Sequence, residues 1–447
     1  MRTSNINKKR SLLTILLIIF ILSPINYFAQ NSISFNSNNG RNKISISNNK
    51  NDFKIEYEGE ITLNEIDSDI VDISKGGYIE IKKSSFGKKR KIIIEKEGNK
   101  LIRKYYVGWS EKDYYPEGKQ WLSDVLPEIL RSTTIGAESR VDRFYKKGGA
   151  KDVLDEIKKM ESDYVQSAYF KLLLKKPLSS KEVTNTLNTV GKVISSDHYL
   201  ANILRKNQEL FLKNSSSIDA YISAAKTVGS DHYLTQILKS IISNKEIDDA
   251  QLASLLTISE NINSDHYLSE VLGNIMDERK LNENNMEQVM KLSKNIGSDH
   301  YKTNTLKKAL RNKNLSKQAY NSFMNSLNDI NSDHYASEVI KELVKNKLDN
   351  ESFNNVLEII TKNISSSHYA ASIYKEIAKN KDLNETQLIH LLNAVASIES
   401  SHELSQVLIA FAPKVKNASS KVKEAYTKTA KSINSETYFG RAMKAIY

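Results

Sequence analysis

The sequence predicts an α+β fold, with a small N-terminal antiparallel β module followed by an α-solenoid of 34-residue helix-pair repeats. Three observations carry this. An echo reading apolar, small or polar, Ser-Asp-His-Tyr recurs every 34 residues, as in Ile194 to Tyr199. With the His position as marker, its copies fall at Tyr164, His198, His232, His266, His300, His334, His368, His402 and, one residue late, Thr437. A fixed period in this range marks stacked supersecondary units that bury one another's apolar faces. Before the echo, residues 31–107 alternate with period two, and after Trp109 the apolar spacing turns helical.

At the start of the chain, Arg2, Lys8, Lys9 and Arg10 stand with no acid, and Ser11 to Ser23 is almost wholly apolar until Pro24. This pattern is that of an export signal. Small Ala29 is placed for cleavage, so residues 1–29 are expected to leave and the mature chain to begin near Gln30. The alternative is an uncleaved anchor, but 13 residues is short for a span, and Pro24 and Asn26 interrupt a longer one. The expected destination is the periplasm or the exterior, with no membrane span after cleavage. No cysteine occurs anywhere, so disulfides, thiolate metal sites, thiol catalysis and a lipid-modified cysteine are all excluded.

The next region, residues 30–108, reads as the β module. Ile33 and Phe35, Ile44 and Ile46, Phe53 to Tyr57, Tyr78 to Ile81, Lys91 to Glu95 and Leu101 to Val107 are short β-branched and aromatic runs. Turn residues such as Gly76 and Gly77, or Gly98 and Asn99, separate them. The Ser and Asn content of residues 31–51 leaves the first strands open to a second reading, a flexible lead-in.

The formal charge of +12 concentrates here. Without the four basic residues of the leader, 61 Lys and Arg face 53 acids, a balance of +8. Between Lys82 and Lys104 ten basic residues face only Glu95 and Glu97, so this one segment carries the whole excess. Lys88, Lys89, Arg90 and Lys91 are its densest part and the candidate anion-binding patch, fit for an anionic glycan or lipid surface. The competing reading is a solvated, Lys-decorated sheet that discourages edge pairing. A nucleic-acid partner is not expected.

Residues 109–159 read as a helical connecting or capping region. Gln120 to Leu130 and Gly136 to Lys147 each carry an apolar stripe, and Gly148 and Gly149 supply a backbone able to end a helix. The solenoid follows over 160–447, with about eight repeats. Trp121-Leu122, Leu126-Pro127, Gly136 to Val141, Gly148-Gly149 and Ser162-Asp163-Tyr164 together resemble a segment of bacterial extracytoplasmic helical-repeat proteins of poorly defined function. A similar segment lies beyond the peptidase part of some sensor metallopeptidases. The resemblance covers roughly residues 75–175 and implies an envelope protein with a β-rich module ahead of helical repeats. It implies no peptidase activity, because His-Glu-x-x-His is absent.

Within the repeat, Ser162, Ser196, Ser230, Ser264, Ser298, Ser332, Ser366, Ser400 and Ser435 share one position, which is the pattern of a helix start. A Ser side chain there would accept from an unpartnered first-turn N–H, at a benefit of ~1 kcal/mol. An acid follows in seven copies, suiting the positive end of the helix dipole. Tyr199, Ile203 and Leu204, echoed by Tyr233, Ile237 and Leu238, are expected to be the buried face. A second helix completes each unit, its starts visible as capping-box pairs at Ser179 with Glu182, Asp248 with Gln251, and Asn384 with Gln387. The length matches the tetratricopeptide repeat but its Trp, Leu-Gly and Pro signature is missing, so this is a distinct repeat.

Seven of eight histidines, His198, His232, His266, His300, His334, His368 and His402, belong to the echo, and each has a polar residue four positions on. They should form a partly exposed column, with His266–Glu270 and His334–Glu338 able to pair. Three readings stand. In the first, the His bonds across to the neighbouring turn while the Asp caps; in the second, the column is a recognition surface for an extended peptide or glycan; in the third, His266, Glu270, His334 and Glu338 serve a metal such as zinc, though a linear ladder does not converge three ligands by itself. No Gly-x-Ser-x-Gly, phosphate-cradling loop or metallopeptidase motif occurs, so no enzyme activity and no cofactor are expected. The functional expectation is an exported, non-catalytic scaffold or protein-binding protein of the envelope, the alternatives being metal sensing by the His ladder and anionic-polymer binding by the β module.

Overall fold

The computed structural model describes residues 32–38, 40–47, 52–85, 87–311 and 315–447; the expected leader lies outside them. The chain divides into two compact units, residues 1–169 and 170–447.

The first unit is built on a seven-stranded antiparallel sheet. Its strands are β1 (Ser32–Asn38), β2 (Arg41–Ser47), β3 (Asp52–Glu58), β6 (Tyr78–Ser85), β7 (Lys88–Glu97), β8 (Lys100–Val107) and β9 (Ser110–Lys112), in the order β1-β2-β3-β6-β7-β8-β9. Strands β4 (Ile61–Leu63) and β5 (Ile70–Ile73), which the alternation pattern did not single out, pair separately. Within the Ser- and Asn-rich start, 32–38 and 41–47 are strand rather than lead-in, because β1 and β2 pair along their full lengths. Period-two alternation sends one face inward. Register aligns Ile44, Ile55, Ile81, Ile92 and Tyr105 in one row across five strands, each at most 3% exposed.

Helix α1 (Lys119–Ser132) lays Trp121, Leu122, Val125, Leu126 and Ile129 into the same core. Each such side chain contributes about 1.5–3 kcal/mol on burial. The Tyr105 and Trp121 rings lie 6.0 Å apart, and a Cβ at Gly118 would come within 2.9 Å of Tyr105, so glycine is required for the approach. Helix α2 (Ala137–Ile157) is interrupted where the sequence indicated, at Gly148 and Gly149, the latter at φ 67°. Its Arg140, 1% exposed, donates to Asp67 at 2.9 Å and Glu156 at 2.8 Å and also to Tyr169, locking the loop between β4 and β5 against the helices.

The second unit is an α-solenoid of paired helices. One series, the ladder helices, begins at Asp197, Asp231, Asp265, Asp299, Asp333, Ser367, Ser401 and Glu436. The other, the back helices, begins at Ser180, Ser215, Asp249, Glu283, Lys317, Asn350, Glu385 and Ser420. Ladder helices pack on the next ladder helix and back helices on the next back helix, except that Lys317–Asn328 and Asn350–Asn363 pack loosely, with a hollow between them. In Asp231–Ile242, Leu234, Ile237, Leu238 and Ile241 are at most 1% exposed, the spacing of one helix face. Among the described residues no helix is long and apolar enough to cross a membrane.

Helix starts divide by series. Every back helix is side-chain capped, by Ser179, Asn214, Asp248, Asn282, Ser316, Asp349, Asn384 and Ser419, and the three expected capping boxes form. The ladder helices differ, and the expectation of Ser caps is corrected. Ser230, Ser264, Ser298, Ser332 and Ser366 make no side-chain cap bond, whereas the Ser400 hydroxyl accepts from the Glu403 N–H at 3.3 Å. The backbone setting differs too, with ψ 119° at Ser264 against 175° at Asp248. What these serines offer is the main-chain N–H.

A candidate recognition ladder

That N–H is taken by the acid of the preceding repeat. Ser230 donates to Asp197 at 2.7 Å, Ser264 to Asp231 at 2.8 Å, Ser298 to Asp265 at 2.7 Å, Ser332 to Asp299 at 2.8 Å and Ser366 to Asp333 at 2.7 Å. The residue before each Ser often donates to the same carboxylate, as Gly297 does to Asp265 at 2.9 Å. The acid therefore does more than suit its own helix dipole: it bolts the next repeat's turn in place with charge-assisted bonds. In the repeat with Ser367 instead of Asp, the hydroxyl accepts from Ser400 at the longer distance of 3.3 Å.

With the turns fixed, the His and Tyr of successive repeats interleave. His198 lies 5.2 Å from Tyr199 and 5.8 Å from Tyr233, centroid to centroid, and the same alternation runs through His232, His266, His300 and His334 to Tyr369 and His368. Most rings meet edge-to-face or tilted, the arrangement their quadrupoles favour. His198 and His232 place Nδ1 3.1 Å from the hydroxyls of Tyr233 and Tyr267. On the other ring nitrogen, Asn202 stands at 3.1 Å, Gln236 at 2.7 Å from His232 and Asn304 at 3.3 Å from His300. The expectation that the tyrosine is a buried anchor is corrected. Tyr233, Tyr267, Tyr301, Tyr335 and Tyr369 are half-buried, and the next residue, such as Leu234 or Leu268, fills the core.

The ladder changes chemistry near its end. Glu403 occupies the tyrosine position, facing His368 Nδ1 at 3.6 Å and His402 at 3.8 Å, and His402 then meets Tyr438 at 5.4 Å. Burial pushes the Glu403 carboxyl up, but Lys375, with help from His368 and His402, outweighs it and holds the group below its usual range.

The proposed pairs separate. His334 and Glu338 approach to 3.6 Å, and Glu338 also accepts from Lys307 at 2.9 Å, which holds its carboxyl below the usual range. Glu270 is instead engaged by Lys239, and no ion pair joins it to His266. These lysines, with Arg205 on Gln236, form a second inter-repeat series that the sequence reading missed; its signal was a Lys or Arg seven residues after five of the seven ladder histidines, Gly273 and Ile409 being the exceptions. Among the described residues no three His, Asp or Glu converge as metal ligands. His390 lies off the ladder on a back helix, 2.8 Å from Asn354.

The other candidate, Lys88, Lys89, Arg90 and Lys91, lies on β7 in the first unit, the first three exposed. Trp109, unremarked as a functional residue in the sequence, is 96% exposed there.

No protein-family profile matches this chain, and no curated protein matches it. One solved structure, described as "Computational Design of Self-Assembling Cyclic Protein Homooligomers", aligns over 72% of this chain and 94% of its own at 10% identity with a TM-score of 0.11. A likeness that low carries no argument. The class the fold defines is an antiparallel sheet followed along the chain by a helical-repeat solenoid, and a repetitive helical fold of this kind suits a scaffold or binding role.

Proposed function

We propose that the protein is an exported, non-catalytic binding protein of the cell envelope, and that the His–Tyr ladder receives an extended peptide segment of its partner. One observation carries this reading: a regular row of half-exposed and exposed rings in which the repeats from His198 to Tyr369 present the same His and Tyr groups. Packed helices lie about 8–10 Å apart and a peptide in the polyproline II conformation advances about 3.1 Å per residue with about three residues per turn, so every third residue would meet an equivalent rung from the same side. Half-exposed Tyr and His supply contact area with polar edges, the composition that recognition surfaces favour. Export rests on the leader pattern of residues 1–29.

The test is affinity capture from envelope extract with the chain from Gln30 onward, beside a variant with His232, His266, His300 and His334 all replaced by Ala and its helicity verified. A partner retained by the parent and lost by the variant is the expected result. Equal retention, or none by either, would remove the ladder from recognition.

A further inference from the structure

The densest positive charge of the chain sits at one end of the sheet, and it is built rather than scattered. Lys54 on β3, Lys82 on β6 and Lys91 on β7 stand directly opposite one another in register. Like charges so placed destabilise a sheet. Relief is partial: Lys82 pairs with Glu80, and the Lys91 ammonium rests 4.1 Å from the Tyr106 ring centre. On the adjoining row Lys83 faces Arg90, and Lys83 reaches Glu128 at 3.2 Å. Among the described residues Lys54, Lys89 and Arg90 make no ion pair.

Trp109 occupies the turn between β8 and β9, where the Gly108 N–H donates to the Lys89 carbonyl at 2.9 Å and so fixes the turn beside the basic strand end. Lys54, Lys83, Lys89, Arg90 and Trp109 line one hollow, and Asp52 is the single acid among its lining residues. Val107, two residues before Trp109, is 39% exposed and adds apolar surface to this end of the strand.

We infer that this end of the sheet docks on a bilayer surface carrying anionic lipid, with Trp109 entering the headgroup layer and Lys54, Lys89 and Arg90 meeting lipid phosphates. Charge complementarity selects an anionic partner. The indole selects a membrane over a soluble polyanion, because Trp prefers the headgroup level, where its apolar body leaves water while its N–H stays solvated. Charge and an apolar insertion together supply two signals, the combination that raises surface binding above the marginal level a single signal gives. This site is separate from the ladder and does not depend on it.

The two tryptophans make the test direct, since Trp121 is 6% exposed and Trp109 is 96% exposed, so a change at the surface is read from Trp109. The chain from Gln30 onward, the form that leader removal leaves, is titrated with vesicles of phosphatidylcholine alone, vesicles of phosphatidylcholine with phosphatidylglycerol, and soluble polyphosphate. Binding to the phosphatidylglycerol vesicles, a blue shift and acrylamide protection of Trp109, and reversal by salt are expected, with no response to phosphatidylcholine. Neutralising Lys89 and Arg90 to Gln should weaken vesicle binding about 25-fold, at about fivefold for each basic residue near the surface. Trp109→Ala should weaken it several-fold, and unchanged Trp121 emission verifies that the Lys89/Arg90 variant is folded. The inference is overturned by no binding to anionic vesicles, by binding in which Trp109 stays fully quenchable, or by a response to polyphosphate alone, which would assign the site to a soluble polyanion.

Discussion

The carboxylate of Asp265 accepts the backbone N–H of Ser298 at 2.7 Å and of Gly297 at 2.9 Å, reaching from one repeat into the turn that starts the next. Asp265→Ala therefore leaves two donors of a neighbouring turn without their acceptor. The expected cost is about 1–3 kcal/mol, since charge-assisted bonds are lost at a partly buried site. Ser264→Ala should cost only a few tenths of that, because the Ser264 side chain makes no cap bond. Urea midpoints followed by far-ultraviolet circular dichroism check both; a Ser264 loss as large as the Asp265 loss would return the serine to capping.

His266 is exposed and touches Tyr267 and Tyr301 through its ring, at 5.1 and 5.4 Å. Its replacement by Ala should change stability by less than about 0.5 kcal/mol. The same variant in the capture assay should nevertheless weaken partner retention, so stability and binding separate at this position.

Lys302 is 3% exposed at a position that Leu200, Leu234 and Leu268 fill in other repeats. Keeping an ammonium at a core-facing position costs desolvation that its stem burial only partly offsets. Lys302→Leu should raise stability by about 1 kcal/mol, read as a higher urea midpoint. A fall would show that the ammonium has a native partner worth more than its burial costs.

In the first unit, burial alone would raise the Glu156 carboxyl, but Arg131, Arg140 and Lys159 outweigh it and hold the group below its usual 4.5. A depressed folded-state value means that the contribution is complete above the unfolded value and is lost as pH falls through the folded one. Unfolding followed by tryptophan emission, which reports this unit because both indoles lie in it, should show stability falling as pH drops below 4.5. Glu156→Gln should cost about 3–5 kcal/mol at neutral pH by stripping Arg140 of a buried partner, and should flatten the acid dependence.

Much of the architecture was legible because it rests on local, repeated signals. The 34-residue echo fixed where each ladder helix begins, and Asp248 with Gln251 announced a back-helix cap that the structure forms. β4 and β5 were not legible: each is three or four residues long, and what holds their loop is Arg140, more than seventy residues away from Asp67 in sequence. The ladder's members were readable as a pattern, but their partners were not. Pairing of Glu270 with Lys239 rather than His266 depends on which side chain reaches across the repeat interface, a contact between residues 31 apart.

Sequence by itself determined the repeat length, the helix starts, the alternation of the sheet and the place of the basic segment, because each follows from spacing within a few residues. Tertiary structure decided what the repeated polar residues do. Stacking brings Asp265 to the Ser298 turn and His232 to Tyr267, turning an expected cap into an inter-repeat bolt and an expected core anchor into a half-exposed rung. The physical reason is that hydrogen-bond partners are set by distance across an interface, which the spacing of residues along one helix does not contain.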